Sequence, residues 1–488
     1  MRKLSVPLAL AAVTLASGCT LAPHYTRPAA PIAAAYPTAA VTRAGQTPPL
    51  STAAADLGWQ DFFGDPRLKQ LITLALQNNR DLRVAMLNVQ ASRAQYQIER
   101  ASLFPAIGAT ASQTAARTPA ALSESHVATV GSAYQVGASA QWELDFFGRL
   151  QSLKNQALYE YLATAQARKA AEILLVSQVA DQYLTLYASR EQLHVTQETL
   201  QSAQASYELA VGQFKAGSTS ELDLRQAQSV IDQATANLAQ QTRICQQAEN
   251  ALVLLIGEPL PADLPAALRF DDKQMVKDVP AGLPADLLAR RPDILAAEDT
   301  LRAMNANIGA ARAAFFPTIS ITGNGGSASS MLSGLFKAGS AAWTFVPSLS
   351  MPIFTAGSNL ANLDLAHVQK NIAVAQYEKT IQVAFREVAD GLAASATYDD
   401  QLAAQIRYAD DYQSTLDLST LRYQTGTDSY LQVLTAQNAL YSAQQGVIST
   451  RLNLLSARVD LYGALGGGWV AHTGDKPRNA ETASDDKA

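Results

Sequence analysis

The chain is poor in charge, in cysteine and in long apolar runs. Asp, Glu, Lys and Arg make up 16% of its 488 residues, whereas typical globular domains contain roughly 25%. The formal net charge of −5 argues against nucleic acid as a partner, because such binding depends on basic groups that neutralise phosphates. The same charge argues against a polybasic patch for anionic membrane surfaces.

Residue patterns typical of catalysis or metal binding are also missing. The five histidines share no metal-ligand spacing, and no Ser-His-Asp or Cys-His set is evident. We therefore expect no enzyme, no metal and no cofactor. Of the two cysteines, Cys245 lies in a helical pattern and is expected to be a small buried apolar group.

The other cysteine follows a secretory signal peptide that we place at residues 1–18. A positively charged start precedes an apolar run from Leu4 to Ala16, which is too short to span a membrane. The residues before Cys19 resemble a bacterial lipobox, although Ala16 stands where Leu or Val is usual. We expect a covalent lipid on Cys19, and Thr20 after it favours the outer membrane; the alternative is a plain cleavage site.

The remainder of the chain contains a large internal repeat. Five features occur twice, and the two copies of each are always the same number of residues apart. They are Asp81 and Asp293, Ala91 and Ala303, Ala94 and Ala306, Arg100 and Arg312, and Phe104-Pro105 and Phe316-Pro317. Each half is predicted as a helix, a strand pair and a long helical hairpin. The predicted segments are a lipidated N-terminal segment at 19–64, which we call the strap, the repeats at 65–256 and 284–465, an irregular segment at 257–283 and a tail at 466–488.

Local signals refine these boundaries. Asp65 and Pro66 mark a helix start. Arg290 and Arg291 are expected to pair with nearby carboxylates. The tail from His472 is polar and is predicted to be disordered.

Two strand pairs are predicted, near 105–143 and near 317–353, with exposed loops between the strands around 117–129 and 325–340. Residues 134–143 and 342–351 alternate apolar with small or polar side chains, which is the pattern of a strand with one apolar face. Their length of about ten residues suits an outer-membrane strand, and Trp142 and Trp343 stand where an interfacial belt would place aromatics. The alternative is a half-buried sheet in a soluble domain.

Four strands in one chain cannot close a barrel, and open sheet edges are not tolerated in lipid. Two copies would give about eight strands, with a lumen filled by side chains; three would give about twelve and leave a channel. A conduit favours three copies.

Two very long helices accompany the strands. Residues 149–216 contain no proline, and apolar residues recur every seven positions from Val179 to Phe214 and again from Ile381 to Tyr423, interrupted at Ser395. This period predicts coiled-coil-like packing. At ~1.5 Å per residue each helix would measure roughly 100 Å. Neither helix is apolar enough to span lipid, so both must project into water; a soluble coiled-coil rod is the alternative.

The two hairpins end in similar tips, near 214–222 and 423–431. Glycine at 217 and 426 suits the left-handed position after a helix, and Ser218, Thr219, Thr427 and Asp428 are expected to cap the next helix. We expect a partner to dock at these tips and the duct to close there; the alternative is an ordinary hairpin turn. The proposed docking residues are Gly217, Ser218, Ser220, Gly426, Thr427 and Ser429.

Several motifs together resemble a known family. They are Cys19–Pro23 with Tyr25 and Arg27-Pro28, Trp59–Asp65, Trp142–Arg149, Leu288–Asp293, Phe316-Pro317, both glycine tips and Leu461–Trp469. The chain resembles the TolC-type outer-membrane factors, and among them the OprM-like (NodT) efflux lipoproteins.

The resemblance implies a fold that is mainly α with a small transmembrane β part. It implies a homotrimer in which a twelve-stranded β-barrel, four strands per chain, joins a long α-helical barrel that extends through the periplasm. It also implies outer-membrane lipid, a periplasmic adaptor and an inner-membrane RND-type pump as partners. The function would be a passive exit duct for small toxic compounds; the alternatives are a type I protein-secretion duct and a non-conducting trimeric surface protein.

The resemblance also implies a periplasmic gate on the second tip. The matching positions are Leu431, Gln432 and Thr435. Family members often have aspartate at the last two positions, which gives an anionic ring. Because this chain has Gln432 and Thr435, we expect no anionic ring and a steric seal by Leu431.

Overall fold

A computed structural model describes residues 20–33, 35–36, 54–123, 126–271, 275–276 and 284–475. The predicted signal peptide, the lipidation site Cys19 and residues 476–488 lie outside the described residues. Parts of the strap and of the irregular segment at 257–283 also lie outside them.

Long helices dominate the described residues. They are α1 (Trp59–Phe62), α2 (Pro66–Asn78), α3 (Arg80–Ala101), α4 (Arg149–Lys215), α5 (Glu221–Ile256), α6 (Pro284–Arg290), α7 (Pro292–Ala313), α8 (Ser358–Gln424) and α9 (Tyr430–Ala464). The helices α4 and α8 each contain 67 residues, which corresponds to about 100 Å at 1.5 Å per residue. No helix in the described part of the chain is long and apolar enough to cross a membrane.

Four strands form one antiparallel sheet in the order β1-β2-β3-β4. They are β1 (Ala106–Thr118), β2 (Thr129–Leu144), β3 (Thr318–Ser329) and β4 (Ala341–Ser350). The mainly α fold class with four strands per chain, predicted from the sequence, is confirmed. In the described chain β1 and β4 are the edges of the sheet, so each has one side without a neighbouring strand.

Two of the strands are longer than the sequence pattern indicated. We expected exposed loops around 117–129 and 325–340, but β1 continues to Thr118 and β3 to Ser329. The prediction missed residues 325–329 because Gly and Ser carry no apolar alternation. These residues nevertheless pair with β2, where Gly326 faces Gly137 so closely that a Cβ on Gly326 would lie 2.1 Å from the Val136 carbonyl oxygen.

The sheet has one apolar and one polar face. Its register sets Phe345 opposite Gly323 and Trp343 opposite Gly325, so the large rings of β4 lie beside positions without side chains. Successive side chains alternate between faces, and the apolar rows of all four strands therefore coincide. This is the pattern of a sheet with its apolar face toward lipid.

The described chain divides into two compact units. One takes the described residues of Met1–Ala29 together with Asn88–Thr164 and Ala296–Glu378, and contains the sheet; the other takes those of Ala30–Leu87, Ala165–Leu295 and Lys379–Ala488. Each unit contains residues of both predicted repeats, because α4 and α8 each contribute residues to the two units.

The second unit has a core built around the start of α2. The Asp65 side chain caps the helix by accepting the Arg67 N–H at 2.8 Å, and Pro66 occupies its first turn, as predicted. The Tyr183 hydroxyl donates to the same carboxylate at 2.6 Å. Phe62 is fully buried and stacks on Tyr462 with ring centroids 4.0 Å apart. Cys245 is half-buried against this core rather than fully buried.

Part of the C-terminal tail is ordered against α1. Trp59 N–H donates to the Val470 carbonyl at 3.0 Å, and the Thr473 hydroxyl donates to Asp61 at 2.7 Å. The prediction of disorder from His472 onward is therefore wrong for residues 472–475. The polar composition of the tail did not indicate these hydrogen bonds, because they depend on the position of α1 in the folded chain.

Candidate functional site

The first tip is a tight reversal closed by glycine and capped by serine. Gly217 has φ = 74°, and the Ser218 N–H donates to the Gln213 carbonyl at 2.9 Å, which satisfies a free carbonyl at the end of α4. The cap of α5 is Ser220, whose hydroxyl accepts the Asp223 N–H while the Asp223 carboxylate accepts the Ser220 N–H. The predicted caps Ser218 and Thr219 are wrong, because Ser220 lies at the residue where helical geometry begins.

The second tip has the same backbone but different side-chain bonds. Gly426 has φ = 73°, and Ser429 lies at the N-cap of α9 without a capping side-chain bond. Asp428 was predicted as a cap, as was Thr427, but neither caps α9. The Asp428 carboxylate instead accepts from Arg422 Nε at 2.6 Å and Nη2 at 3.1 Å. These bonds lower the pKa of Asp428, so the carboxylate is charged and paired.

A hydrogen bond and a small core join the two tips. The Tyr423 hydroxyl at the end of α8 donates to Gln213 Oε1 on α4 at 2.6 Å. Tyr430 and Val433 of α9 are buried against Ala210 and Ala227. The second hairpin is thus fixed to the first at its very end, through α4 and α5.

The three predicted gate residues lie together on α9. Leu431, Gln432 and Thr435 are all exposed, on the side away from the buried Val433 and Ala436. The Thr435 hydroxyl donates to the Leu431 carbonyl at 2.8 Å, so its proton is used in a hydrogen bond within α9. Leu431 is 51% exposed, which is unusual for a leucine beside a packed core and leaves its side chain free to contact another surface.

Sequence reasoning missed the residues that connect the tips. Tyr423 was noted as part of the seven-residue line and as the first residue of the second tip, but nothing in the sequence marked Gln213 as its partner. Arg422 precedes the glycine turn by four residues, and its pairing with Asp428 follows from the reversal itself. A search for opposite charges across the turn would have found that pair.

A second candidate feature is the beginning of the strap, residues 20–27, which lies on α7. Glu298 is 1% exposed and accepts from Tyr25 Oη at 3.1 Å, Arg27 Nε at 3.0 Å and Arg302 Nη2 at 2.7 Å. Burial disfavours the charged carboxylate, but these donors outweigh burial and hold the pKa of Glu298 below its usual value.

Main-chain contacts continue this strap toward residue 20. Asn305 Nδ2 donates to the Pro23 carbonyl at 2.8 Å, and Arg312 donates to the Leu21 carbonyl at 3.2 Å. Gly309 makes room for the strap, because a Cβ there would lie 2.8 Å from the Ala22 nitrogen. The chain directly after Cys19 is therefore held along two turns of α7.

A cavity of about 640 Å³ lies among α4, α8 and α9 in the second unit. Arg291, Glu387 and Asp460 are among its lining residues, and Arg291 pairs with Asp293 and Glu387, as its sequence context predicted. The residues that the structure describes contain no group of three or more His, Cys, Asp or Glu side chains arranged to hold a metal ion.

The paired long helices, the sheet with one apolar face and two open edges, and the joined glycine tips define a class. It is the class of outer-membrane channels with a long helical extension. The chain belongs to the outer membrane efflux protein family, whose model matches residues 71–258 and 283–467. These two matched segments correspond to the two repeats found in the sequence.

Individual relatives agree over almost the whole chain. The chain is 47% identical over 482 residues to the toluene efflux pump outer membrane protein TtgC of Pseudomonas putida, covering 98% of this chain and 99% of that protein. It is 44% identical over 486 residues to the outer membrane protein OprJ of Pseudomonas aeruginosa, covering 98% and 100%. The structure of the open state of the MtrE outer membrane channel of Neisseria gonorrhoeae matches with a TM-score of 0.83 and 39% identity, covering 94% and 100%.

These similarities confirm the predicted family, the predicted outer-membrane location and the role in efflux. The lipid on Cys19 and the roles of the tip and gate residues stay predictions.

Proposed function

We propose that three copies of this chain form a passive exit duct that carries small toxic compounds across the outer membrane. An RND-type pump in the inner membrane supplies the energy, and a periplasmic adaptor connects pump and duct. The observation that carries the proposal is the four-stranded sheet with two open edges. Edges in lipid must be paired, and closure among three copies encloses about twelve strands, wide enough for a channel.

The adaptor docks at the tips. Nothing lies within 4 Å of a Cβ added to Gly217 or Gly426, so both turns are bare backbone surfaces that another chain can approach. Around them Ser218, Ser220, Thr427 and Ser429 offer short polar side chains. A docking helical hairpin would contact these residues without displacing any part of this chain.

The duct closes at Leu431, Gln432 and Thr435. Three exposed leucines, one from each copy, would meet around the threefold axis and exclude water from the narrowest passage. Opening requires the second hairpin to move away from the axis. The Tyr423–Gln213 bond and the Tyr430 cluster hold that hairpin against the first one, so they oppose the movement.

A lipid on Cys19 anchors the chain in the outer membrane. The strap contacts with α4 and α7 support this, since they fix the residues that directly follow Cys19. Apart from this lipid, the duct uses no cofactor and carries out no catalysis. Replacing Cys19 by Ala should abolish incorporation of labelled fatty acid, and unchanged labelling would contradict lipidation.

Conductance of purified protein in planar bilayers tests the duct. We expect discrete ion currents, and higher open probability for Leu431→Ala because the steric seal is smaller. Leu254→Ala is the matched control, since Leu254 on α5 is 79% exposed and lies outside the gate. Protein that remains silent even as Leu431→Ala would contradict the duct and favour a non-conducting surface protein.

Docking is tested separately in cells that depend on efflux. Gly217→Asp and Gly426→Asp should abolish tolerance to pump substrates while leaving the trimer intact. Asn at the same positions is the matched control, because Asn also adopts positive φ but brings no charge. Tolerance that survives both Asp variants would contradict docking at the tips.

A further inference from the structure

A second cavity, of about 190 Å³, lies between the beginning of the strap, α4 and α7. Every residue that lines it belongs to the compact unit that contains the sheet. The strap contributes Ala22, Pro23 and Tyr25 to the wall, so the cavity is complete only while the strap lies on α7. At roughly 30 Å³ per water molecule the space corresponds to about six waters, or to a ligand of about six non-hydrogen atoms.

Asn305 is the most deeply buried polar residue of the cavity wall. It is 5% exposed, and its amide nitrogen donates to the Pro23 carbonyl at 2.8 Å. Its Oδ1 atom is buried and has no hydrogen-bond partner among the residues that the structure describes. Buried polar atoms are almost always hydrogen-bonded, since leaving one without a partner costs free energy. A ligand of this cavity therefore has to bring a proton donor to Asn305 Oδ1.

Two side chains of α4 add neutral hydrogen-bonding groups. Asn155 and Tyr159 lie one turn apart on the helix, and both line the cavity. Asn155 Oδ1 accepts from Gln151 at 3.2 Å, whereas its Nδ2 carries two donor hydrogens, and a tyrosine hydroxyl can both donate and accept. The wall thus presents an acceptor on α7, and a donor and a hydroxyl on α4.

Charged ligands fit this wall poorly. Arg302 also lines the cavity, but its Nη2 and Nη1 donate to Glu298 and Asp299 at 2.7 and 3.1 Å. An anion would compete with these carboxylates and would leave Asn305 Oδ1 without a donor. A cation would be repelled by the guanidinium. A neutral hydroxyl group, in contrast, can donate to Asn305 Oδ1 and accept from Asn155 Nδ2 at the same time.

The apolar part of the wall distinguishes a carbon-containing ligand from water. Ala22, Pro23 and Ala306 line the cavity together with the rings of Tyr25 and Tyr159. Water against such surfaces finds no hydrogen bonds there, whereas carbon atoms that contact them remove apolar surface from water. The cavity therefore fits a short carbon chain that bears hydroxyl groups.

We propose that this cavity binds a small uncharged polyol of about the size of glycerol, either free or as the headgroup of a phospholipid. Ala22 follows Cys19 by three residues, a reach of at most about 11 Å. With the proposed lipid on Cys19, on which this step rests, the cavity stays close to the membrane surface. A headgroup in that leaflet then has a high effective concentration, which favours the phospholipid as the source. The bound polyol holds the strap against α4 and α7.

Protease cleavage of the strap in the detergent-solubilised full chain tests the site. Mixed micelles with phosphatidylglycerol are compared with micelles that contain phosphatidic acid, because both lipids are anionic and they differ in the glycerol of the headgroup. Cleavage between residues 20 and 36 should be several-fold slower with phosphatidylglycerol. Tyr159→Phe removes one hydroxyl from the cavity wall. The phosphatidylglycerol concentration that gives half of the protection should then rise about five-fold, the effect of one net hydrogen bond.

Tyr161→Phe is the matched control. Tyr161 lies on the same helix, but its ring stacks on Tyr96 of α3 with centroids 6.5 Å apart, and it does not line the cavity. This variant should be protected at the same phosphatidylglycerol concentration as the wild type.

Free glycerol in place of the lipid identifies the source of the polyol. Protection by glycerol that weakens in Tyr159→Phe assigns the free polyol as a ligand, and this dependence separates binding from the general effect of polyols on stability. Protection by phosphatidylglycerol alone assigns the headgroup.

Equal cleavage with phosphatidylglycerol, phosphatidic acid and glycerol would overturn the proposal and leave the cavity to water only. Protection that Tyr159→Phe does not weaken would overturn it as well, because the lipid would then act at another place. Neither result depends on conductance or on labelling of Cys19, so the duct and the lipid anchor keep their own separate tests.

Discussion

Arg291 Nη1 donates to the main-chain carbonyl of Ala464 at 2.9 Å, closing the C-terminal end of α9. The first repeat has the equivalent bond, in which Asn79 Nδ2 donates to the Leu255 carbonyl of α5 at 2.8 Å. In both repeats the residue directly before the 22-residue helix, α3 or α7, thus satisfies a free carbonyl at the end of the last long helix of that repeat. The second repeat uses an arginine, which also binds Asp293 and Glu387.

Replacing Arg291 should therefore destabilise the protein. Arg291 is buried whereas both of its carboxylate partners remain partly exposed. Arg291→Ala should therefore cost about 2 kcal/mol, less than the roughly 3–5 kcal/mol of a broken pair in which both partners are buried. Thermal unfolding of the purified protein measures this. Arg225→Ala is the control, since the Arg225–Glu221 pair is exposed and should change stability by less than about 0.5 kcal/mol. Equal midpoints for both variants would contradict the role of Arg291.

Tyr423→Phe should loosen the closed tip. It removes the 2.6 Å bond to Gln213 but keeps the ring against Tyr430. We expect a higher open probability in single-channel records, because a net hydrogen bond contributes about 1 kcal/mol to the closed arrangement. Tyr441→Phe is the matched control, since it removes a comparable bond to Thr196 away from the tips. If both variants gate like the wild type, the bond does not hold the closed state.

Glu298→Gln should release the start of the strap. The amide loses the charge that Arg27 and Arg302 bind, and cleavage by a protease between residues 20 and 36 should become faster. Glu99→Gln on the exposed face of α3 is the control, because the hydrogen bond that Glu99 accepts comes from a neighbouring glutamine on the same helix. Unchanged cleavage of Glu298→Gln would show that main-chain contacts alone retain the strap.

The strap should also respond to acid. The folded pKa of Glu298 lies below its ordinary value of 4.5. Its contribution to stability is therefore fully present above the unfolded pKa and is lost as the pH falls through the folded pKa. Protease sensitivity of the strap in the wild type should rise only below about pH 4.5, and Glu298→Gln should lack this step.

Asp181 should give the opposite pH dependence near neutrality. Burial, followed by the nearby Asp460 charge, raises the pKa of Asp181 to about 7. Between its unfolded value of 3.8 and about 7 the folded state binds more protons, so stability falls as the pH rises through this window. The thermal midpoint should decrease between about pH 4 and about pH 7, and Asp181→Asn should reduce the decrease. Asp232→Asn, at an exposed residue of α5, should leave it unchanged.

The long helices were predictable because their signal is repeated many times. Absence of proline and a seven-residue apolar line placed the first one at 149–216, and α4 spans Arg149–Lys215. Each end is also marked by a glycine that must adopt positive φ, such as Gly217. For these helices the glycines at the ends and the seven-residue apolar pattern indicate the same boundaries.

Strand ends and caps were predicted less well. Residues 325–329 lack apolar alternation, and they are strand because all of them pair with β2 and residues 325–327 also pair with β4. Ser218, Ser220 and Thr219 are all competent capping residues, and a shift of one or two residues in the turn decided that Ser220 caps α5.

Contacts between distant segments could not be predicted from one sequence. Tyr25 and Arg27 were recognised as a motif, but Glu298 had no local feature that marked it as their partner. The same holds for Gln213 and Tyr423. In each case the contact of the polar group depends on its burial or on the position of a neighbouring helix. The spacing of residues along the sequence indicates neither of these.

The central claim is that one chain supplies only part of a barrel wall and that three copies close it. Native mass spectrometry of the detergent-solubilised protein measures this directly. We expect a stable species with the mass of three chains, in which amides of the outer edges of β1 and β4 are protected from hydrogen exchange. A stable single chain with those edge amides exchanging freely would contradict it.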